Sequence, residues 1–188
     1  MKVTVEVSAR HVHLSREAVN ILFGKNYELI PKRFLSQPGQ FLSEEKVEIV
    51  GPRGSIKNVA VLGPLRKKTQ VELSITDTRK IGINTLIRES GNLFGSSGCE
   101  IIGPKGLLKI EEGVIIAKRH IHMPLKDAER NNLQDGQIVS VKIDNEERPV
   151  IFGEVVVRIS EQFSLACHID TDEANAAGIK DKAFGEII

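Results

Sequence analysis

Two histidine pairs with identical spacing are the clearest chemical signal in the sequence. His11 and His13 form the first pair, and His120 and His122 form the second. Residues two apart on a β-strand point to the same face with Cα atoms about 6.6 Å apart, so both imidazoles of a pair can reach one ion. The chain has five histidines, and two such pairs would rarely arise by chance from so few. The pairs therefore predict metal sites.

A third ligand is available for each pair. Glu72 and His168 lie at the same distance before Gly82 and Gly178, respectively. The two side chains thus take the same place when the segments that contain them are aligned. We expect Glu72 to complete the site of the first pair and His168 to complete the site of the second.

Three protein ligands and an open position are typical of a catalytic zinc centre. We therefore expect two divalent metal ions. Without thiolate ligands, zinc, cobalt, iron, manganese and nickel all fit the donor set, and zinc is the first expectation. The alternative is that the histidines are ordinary strand-end residues satisfied by hydrogen bonds. The repetition of the pattern favours the metal interpretation.

The histidine pairs belong to an order of sequence motifs that occurs twice. In each copy the pair ends a strand-like segment and precedes a short helical pattern, and the third ligand precedes a helix of about two turns. Ser15 is expected to cap the first helix, which ends at Gly24, and Pro124 stands where the corresponding helix of the second copy begins.

We predict a first repeat half at residues 1–88, a linker at 89–99 and a second half at 100–188, with strands that can be exchanged between the halves. The linker assignment follows from its glycines and small polar residues. Most other segments are short, rich in Val and Ile, and separated by Gly and Pro. This pattern predicts a mainly β fold, either small β-barrels or a sandwich, capped by short α-helices. A parallel α/β sheet would need longer helical patterns.

Composition excludes several classes of protein. There are 26 Lys and Arg against 25 Asp and Glu, a formal net charge of +1, so no overall field favours nucleic acid or an anionic membrane. Cys99 and Cys167 form no paired-spacing motif, which suits a reducing cytosol. The N-terminus alternates like a strand rather than a signal peptide, and no apolar run approaches the roughly 20 residues of a membrane helix. We expect a cytoplasmic protein with no membrane or nucleic-acid partner.

Several stretches together resemble the PduL-type phosphate acyltransferases, a family of phosphotransacylases also called phosphate propanoyltransferases. The resemblance extends over nearly the whole chain. It is carried by 8–15 (SARHVHLS), 35–41 (LSQPGQF), 62–66 (LGPLR), 69–72 (TQVE), 117–123 (AKRHIHM) and 168–178 (HIDTDEANAAG).

The resemblance implies two short β-barrels capped by helices, a homodimer, and two metal ions between the halves. The ion held with Glu72 would approach the sulfur of coenzyme A, and the other would be held with His168. Arg66 matches the phosphate-binding arginine of the family, and its planar fork of donors suits a phosphate edge. Members in microcompartments often carry an N-terminal targeting segment. None is seen here, so a freely cytoplasmic enzyme is expected.

Contacts to coenzyme A are expected at scattered positions, because the sequence has neither a dinucleotide-binding glycine loop nor a Walker-type loop. The resemblance implies contacts at Val7, Ser8, Ala9 and Asn175. Arg53, on a predicted turn, is a further candidate for a coenzyme A phosphate. A single exposed arginine on a turn more often only adds solubility.

The expected reaction is the transfer of a short acyl group, acetyl or propionyl, from coenzyme A to phosphate. Metal ions would polarise the thioester, and Arg66 would hold phosphate for direct attack. The sequence has no Gly-x-Ser-x-Gly nucleophile elbow, so we expect no acyl-enzyme intermediate. One alternative is a metallohydrolase acting on a thioester or phosphoester, because open three-ligand sites also serve hydrolysis. A second alternative is a non-catalytic metal-binding barrel.

Overall fold

The chain is mainly β in the computed structural model, which describes residues 1–180 and 182–188. The strands are β1 (Lys2–Ser8), β2 (His11–His13), β3 (Pro31–Phe34), β4 (Phe41–Gly51), β5 (Gly54–Gly63), β6 (Gln70–Glu72), β7 (Ile87–Arg88), β8 (Ser97–Ile102), β9 (Leu107–Ala117), β10 (His120–Met123), β11 (Ile138–Ile143), β12 (Val150–Ile159), β13 (Ala166–Asp170) and β14 (Lys182–Ile187). The helices are α1 (Arg16–Phe23), α2 (Ile75–Ile81), α3 (Leu125–Asn131) and α4 (Thr171–Ala176).

Two compact units divide the chain. Barrel A comprises Arg10–Leu35 and Gly39–Ala117, and barrel B comprises Met1–Ala9, Ser36–Pro38 and Lys118–Ile188. Each unit has its own core, built largely from Val, Ile and Leu side chains. These residues suit the pleated inner face of a barrel, where branched side chains pack against cross-strand neighbours.

Barrel A is a closed ring of six strands. The order is β4-β5-β2-β6-β9-β8, and β8 returns to β4. The pairs β2–β5 and β6–β9 are parallel, and the other four pairs are antiparallel. Strand β3 extends the sheet from β4, and β7 extends it from β9. Closure pairs both edges of every ring strand, which leaves the short strands β2 and β6 supported on each side.

Barrel B is a second closed ring of six strands. The order is β1-β13-β10-β12-β11-β14, and β14 returns to β1. The pairs β10–β12 and β13–β1 are parallel, and the other four are antiparallel. Strands β10, β12 and β13 therefore repeat the pairings of β2, β5 and β6. In barrel B, β1 takes the place that β9 has in barrel A. This common plan confirms the prediction of two small β-barrels from an internal duplication.

Strands from both predicted repeat halves contribute to each barrel. Strand β1 lies within residues 1–88 and pairs in barrel B, whereas β8 and β9 lie beyond residue 88 and pair in barrel A. The halves 1–88 and 100–188 and the linker 89–99 describe the duplication in the sequence, and those boundaries stay a prediction. An alternating pattern shows that a segment suits a strand but does not specify the strand with which it pairs.

Short helices follow the histidine strands and the third ligands. Ser15 caps α1, its hydroxyl accepting from the backbone N–H of Ala18 at 3.1 Å, and the helix ends at Gly24 as predicted. Helix α3 begins directly after Pro124. Helices α2 and α4 have 7 and 6 residues, which agrees with the predicted two turns. Among residues 1–180 and 182–188, no helix has the length and apolar character needed to cross a membrane.

Candidate active site

The first candidate cluster lies at the end of a short ladder in barrel A. In the antiparallel pair β2 and β6, His11 is opposite Glu72 and His13 is opposite Gln70. The side chains of His11, His13 and Glu72 are buried, and their ligand atoms lie within 4.8 Å of one another. The structure thus brings together the three residues predicted to form the first metal site.

The spacing of these atoms suits a single ion. His11 Nε2 lies 3.2 Å from His13 Nε2 and 3.5 Å from Glu72 Oε2, and His13 Nε2 lies 3.9 Å from Glu72 Oε1. Two ligand atoms bound to one tetrahedral zinc ion at about 2.0–2.1 Å would be about 3.3 Å apart. The two histidine nitrogens are therefore already at about the separation that one ion requires, and each has a Glu72 carboxylate oxygen within 3.9 Å.

The charge states within the cluster also suit a cation. Burial holds the pKa of His13 well below its usual 6.5, and the charges of His11 and Arg66 lower it further. Burial alone would raise the pKa of the Glu72 carboxyl, but His11, His13 and Arg66 together hold that pKa well below its usual 4.5. The result is a neutral His13 imidazole beside a Glu72 carboxylate, which are the forms that bind metal.

A serine hydroxyl connects Arg66 to this cluster. Arg66 Nη1 donates to Ser90 Oγ at 3.0 Å, and Ser90 Oγ donates to Glu72 Oε1 at 2.9 Å. Gln70 Nε2 donates to Ser90 Oγ at 2.8 Å and also to Glu72 Oε1, while Gln70 Oε1 accepts from the backbone N–H of Gly91 at 2.8 Å. Arg66 is therefore held beside the cluster rather than extended into solvent.

The second candidate cluster occupies the equivalent place in barrel B. In the antiparallel pair β10 and β13, His120 is opposite His168. The ligand atoms of His120, His122 and His168 lie within 4.8 Å of one another. His120 Nδ1 is 2.9 Å from the backbone oxygen of Lys118, and when it donates there, Nε2 is the nitrogen able to accept. The predicted second set of ligands is thus also brought together.

Glu6 lies beside the second cluster. It is paired with His168 in the parallel register of β1 and β13, and its Oε2 is 3.4 Å from His168 Nε2. Ser36 Oγ donates to Glu6 Oε2 at 2.5 Å, and Lys182 Nζ lies 2.8 Å from Glu6 Oε1. The contact with His168, aided by Lys182 and Ser36, holds the pKa of Glu6 well below its usual 4.5 despite its burial. A carboxylate therefore adjoins the three histidines.

Four of the predicted coenzyme A contacts lie in barrel B, at the end of β1, directly after it and on α4. Val7 and Ser8 end β1, and Ser8 is paired with Asp170, the N-cap of α4. Ala9 follows β1 and is exposed, and Asn175 is exposed on α4. A residue can contact coenzyme A only if it is accessible at the surface, and Ala9 and Asn175 are exposed.

Arg53 lies on the turn between β4 and β5 in barrel A. Its side chain is exposed, and its backbone N–H donates to the backbone oxygen of Ile81 at 2.9 Å. The side-chain carbons pack against Gly82, where an added Cβ would come within 2.6 Å of Arg53 Cγ. These contacts are with the end of α2, and the coenzyme A contact of Arg53 stays a prediction.

Known proteins match the chain along almost its whole length. A family model described as phosphate propanoyltransferase matches residues 4–180. A phosphate propanoyltransferase of Thermotoga maritima is 55% identical over 175 residues, which cover 93% of this chain and 83% of that protein. One of Listeria monocytogenes is 53% identical over 186 residues, covering 99% and 87%. One of Enterococcus faecalis is 48% identical over 184 residues, covering 98% and 87%. The chain belongs to the phosphate propanoyltransferase family.

Membership of the phosphate propanoyltransferase family confirms the resemblance seen in the sequence and the prediction of a phosphate acyltransferase. The two clusters also fit the metal ions that the resemblance implies. Imidazole and carboxylate groups are common ligands of first-row divalent ions. His168 Nε2 is buried and makes no hydrogen bond of normal geometry with the part of the chain that the structure describes, and Glu6 Oε2 lies 3.4 Å from it. Most buried polar atoms in proteins have a hydrogen-bond partner, so a buried imidazole nitrogen in this state is available to a metal ion.

Three residues that contact the candidate clusters were not predicted from the sequence. Gln70 lies two residues before Glu72 on β6, so the alternation of a strand was a signal that could have identified it. Ser90 lies in the segment interpreted as a linker, and no local pattern marks it. Glu6 reaches His168 only through the pairing of β1 with β13, which are distant in the sequence.

Proposed function

We propose that the protein transfers an acetyl or propionyl group between coenzyme A and inorganic phosphate, so that acyl-CoA and phosphate give acyl phosphate and coenzyme A. The observation that carries this proposal is the hydrogen-bonded link from Arg66 through Ser90 to Glu72. It joins a side chain suited to an anion with a cluster suited to a metal ion. The names of the relatives, which are phosphate propanoyltransferases, support the same reaction.

Arg66 would hold the phosphate. A guanidinium group presents donors in a fixed plane and can bind a phosphate edge through two parallel hydrogen bonds. The hydrogen bond to Ser90 and the one from the Arg66 backbone N–H to Leu14, at 2.9 Å, fix the position of this residue. A preset orientation lowers the entropy lost when the nucleophile is held for attack.

The two clusters would each hold one divalent ion, with zinc expected first. The ligands would be His11, His13 and Glu72 in barrel A, and His120, His122 and His168 in barrel B. Bound ions would supply Lewis acidity to the thioester carbonyl and favour the thiolate form of coenzyme A. The low pKa of His13 keeps its ring neutral near pH 7 and able to bind.

The bond changes are those of a direct displacement. A phosphate oxygen held at Arg66 forms a bond to the acyl carbon, and the carbon–sulfur bond breaks with its electron pair leaving on the sulfur. No side chain carries the acyl group. The first cluster is 3–7% exposed, so bulk water has little access to the carbonyl there and phosphate is the favoured nucleophile.

Coenzyme A would contact Val7, Ser8, Ala9 and Asn175, and Arg53 would contact one of its phosphates. The predicted homodimer and the cytoplasmic location belong to the same proposal. The homodimer rests on the family resemblance, and the location rests on the composition together with that resemblance.

The test measures coenzyme A release from acetyl-CoA and propionyl-CoA with and without phosphate. We expect release to require phosphate and to give one acyl phosphate per coenzyme A. Arg66→Ala should lose this turnover while keeping its metal content. Arg66→Lys should retain only part of the turnover, because an ammonium group keeps the positive charge but cannot form the two-bond fork. Arg79→Lys, on the exposed face of α2, is the control. Release without phosphate would instead indicate a thioester hydrolase, and unchanged phosphate dependence in Arg66→Ala would remove the role of Arg66.

A further inference from the structure

Each histidine pair is directly preceded by an arginine that forms an ion pair with the helix after the third ligand. In barrel A, Arg10 Nε donates to Asp77 Oδ2 at 3.1 Å. In barrel B, Arg119 Nη1 donates to Glu173 Oε1 at 2.7 Å. The acidic residue lies five positions after the third ligand in both halves. The third ligand itself differs between the halves, yet the ion pair is present in both.

The acidic partners are fixed by the caps of their helices. The backbone N–H of Asp77 donates to Ser74 Oγ at 3.2 Å. Glu173 donates its backbone N–H to Asp170 Oδ1 at 2.8 Å, and its Oε2 accepts from the backbone N–H of Asp170 at 2.9 Å. Acidic side chains in the first helical turn are also stabilised by the unpaired N–H groups there. Each arginine therefore meets an anchored carboxylate.

The ion pairs lie just beyond the ends of two short ladders. Strands β2 and β6 form three residue pairs, and the last is His11 with Glu72. Strands β10 and β13 also form three pairs, and the last is His120 with His168. The end of a ladder opens more readily than its middle. In both barrels, two of the proposed metal ligands occupy that end, and the arginine and its partner form the next connection between the same two segments.

We propose that Arg10–Asp77 and Arg119–Glu173 are positioning pairs, which hold the third ligand of each cluster at the separation that a metal ion requires. This inference rests on the proposed function, because it takes the clusters to bind metal. The carboxylate side chains are 9% and 21% exposed, against 42% and 29% for the arginines. A mostly buried carboxylate with a charged partner is a stronger constraint than an exposed ion pair.

A purely electrostatic role predicts a different pattern of effects. If Arg10 acted only through its charge, Arg10→Gln would remove a cation near the metal and strengthen binding, whereas Asp77→Asn would weaken it. A positioning pair predicts weaker binding in both variants, because either change breaks the same contact. The two effects should also not add in the double variant.

The test measures zinc affinity one cluster at a time, by competition with a chromophoric chelator. A His120→Ala/His122→Ala background leaves only the cluster of barrel A. In that background, Arg10→Gln and Asp77→Asn should each bind zinc about 10–100-fold more weakly, the range seen when groups that orient metal ligands are lost. The double variant should bind no more weakly than the singles, and Arg10→Lys should be intermediate. Thermal unfolding in excess zinc checks that each variant is folded.

A matched control breaks an ion pair of the same barrel that lies away from the ladder end. Arg16→Gln removes the exposed pair of Arg16 with Glu28, whose charged atoms are 2.8 Å apart. Zinc affinity should then change by less than about twofold. Arg119→Gln and Glu173→Gln form the corresponding test for barrel B, in a His11→Ala/His13→Ala background.

Unchanged zinc affinity in Arg10→Gln and Asp77→Asn, or tighter binding in Arg10→Gln, would overturn the positioning role and leave the proposed function intact. If the wild-type chain bound no divalent ion, the metal part of the proposed function would fail and the inference with it. Should a glutamine or asparagine variant not fold, Arg10→Lys and Asp77→Glu carry the test, and wild-type zinc affinity in both would contradict the proposal.

Discussion

Ser90 Oγ donates a hydrogen bond of 2.9 Å to Glu72 Oε1, and so joins the loop after β7 to the first histidine cluster. The same hydroxyl accepts from Arg66 at 3.0 Å and from Gln70 at 2.8 Å. A serine hydroxyl has one donor and two acceptor sites, so all three are used. Ser90 thereby couples the orientation of a proposed metal ligand to that of the proposed phosphate-binding arginine.

Ser90→Ala should weaken the use of phosphate more than the use of acyl-CoA. Hydrogen bonds to charged groups contribute about 1.5–3 kcal/mol each, so we expect kcat/KM for phosphate to fall about 10–100-fold. Ser97→Ala is the control, because that hydroxyl donates to the backbone oxygen of Asn84 instead. Steady-state kinetics with each substrate varied in turn provide the measurement. An unchanged KM for phosphate together with an unchanged kcat would show that Ser90 does not position Arg66.

Glu72→Gln should remove one metal ion from the two expected per chain. The neutral amide is a poorer ligand than a carboxylate and leaves the His11 and His13 nitrogens with a weakened third partner. Glu45→Gln is a matched control, since Glu45 is a 7% exposed carboxylate in the same barrel that accepts from Tyr27 instead. Elemental analysis after dialysis against a weak chelator measures the content. Two ions retained in Glu72→Gln would contradict the ligand assignment.

Tyr27 should ionise at a pH above its usual pKa of 10.0. Its hydroxyl donates to Glu45 Oε1 at 2.8 Å, and this hydrogen bond raises its pKa. The folded-state pKa exceeds the unfolded one, so the contribution to stability is fully present below about pH 10 and is lost as pH rises through the folded-state pKa. Tyr27 is the one tyrosine and the chain has no tryptophan, so absorbance at the tyrosinate band reports it directly.

The comparison variant for this titration is Glu45→Gln, which should move the midpoint back towards 10.0. Glu28→Gln should leave it in place, because Glu28 pairs with Arg16 and not with the phenol. A wild-type midpoint at or below 10.0 would show that the Tyr27 hydroxyl does not donate to Glu45 in solution.

The residues of the two candidate clusters could be identified from the sequence because their signals are short in range. His11 and His13 share a face through strand alternation alone, and the second copy of the motif places Glu72 and His168 in equivalent positions. The caps of α1 at Ser15 and Gly24 are equally local, and the structure has both. Such features depend on residues a few positions apart.

The remaining parts of the site depend on pairings between distant segments. Glu6 contacts His168 because β1 closes barrel B, and Ser90 contacts Glu72 because a loop returns to β6. An alternating pattern does not identify the partner of a strand, and a serine in a glycine-rich loop has no periodic signal. For the same reason, the sequence pattern does not predict that β1 pairs in barrel B and β9 in barrel A.

The most direct test of the account is whether acyl phosphate formation depends on ions bound at the two histidine clusters. Acyl phosphate would be measured from acetyl-CoA and phosphate in wild-type protein, after exhaustive chelation, and after zinc is restored. Turnover should fall to about 1% or less on metal removal and return as about two ions per chain are bound. Full turnover in protein that retains no divalent ion would contradict it.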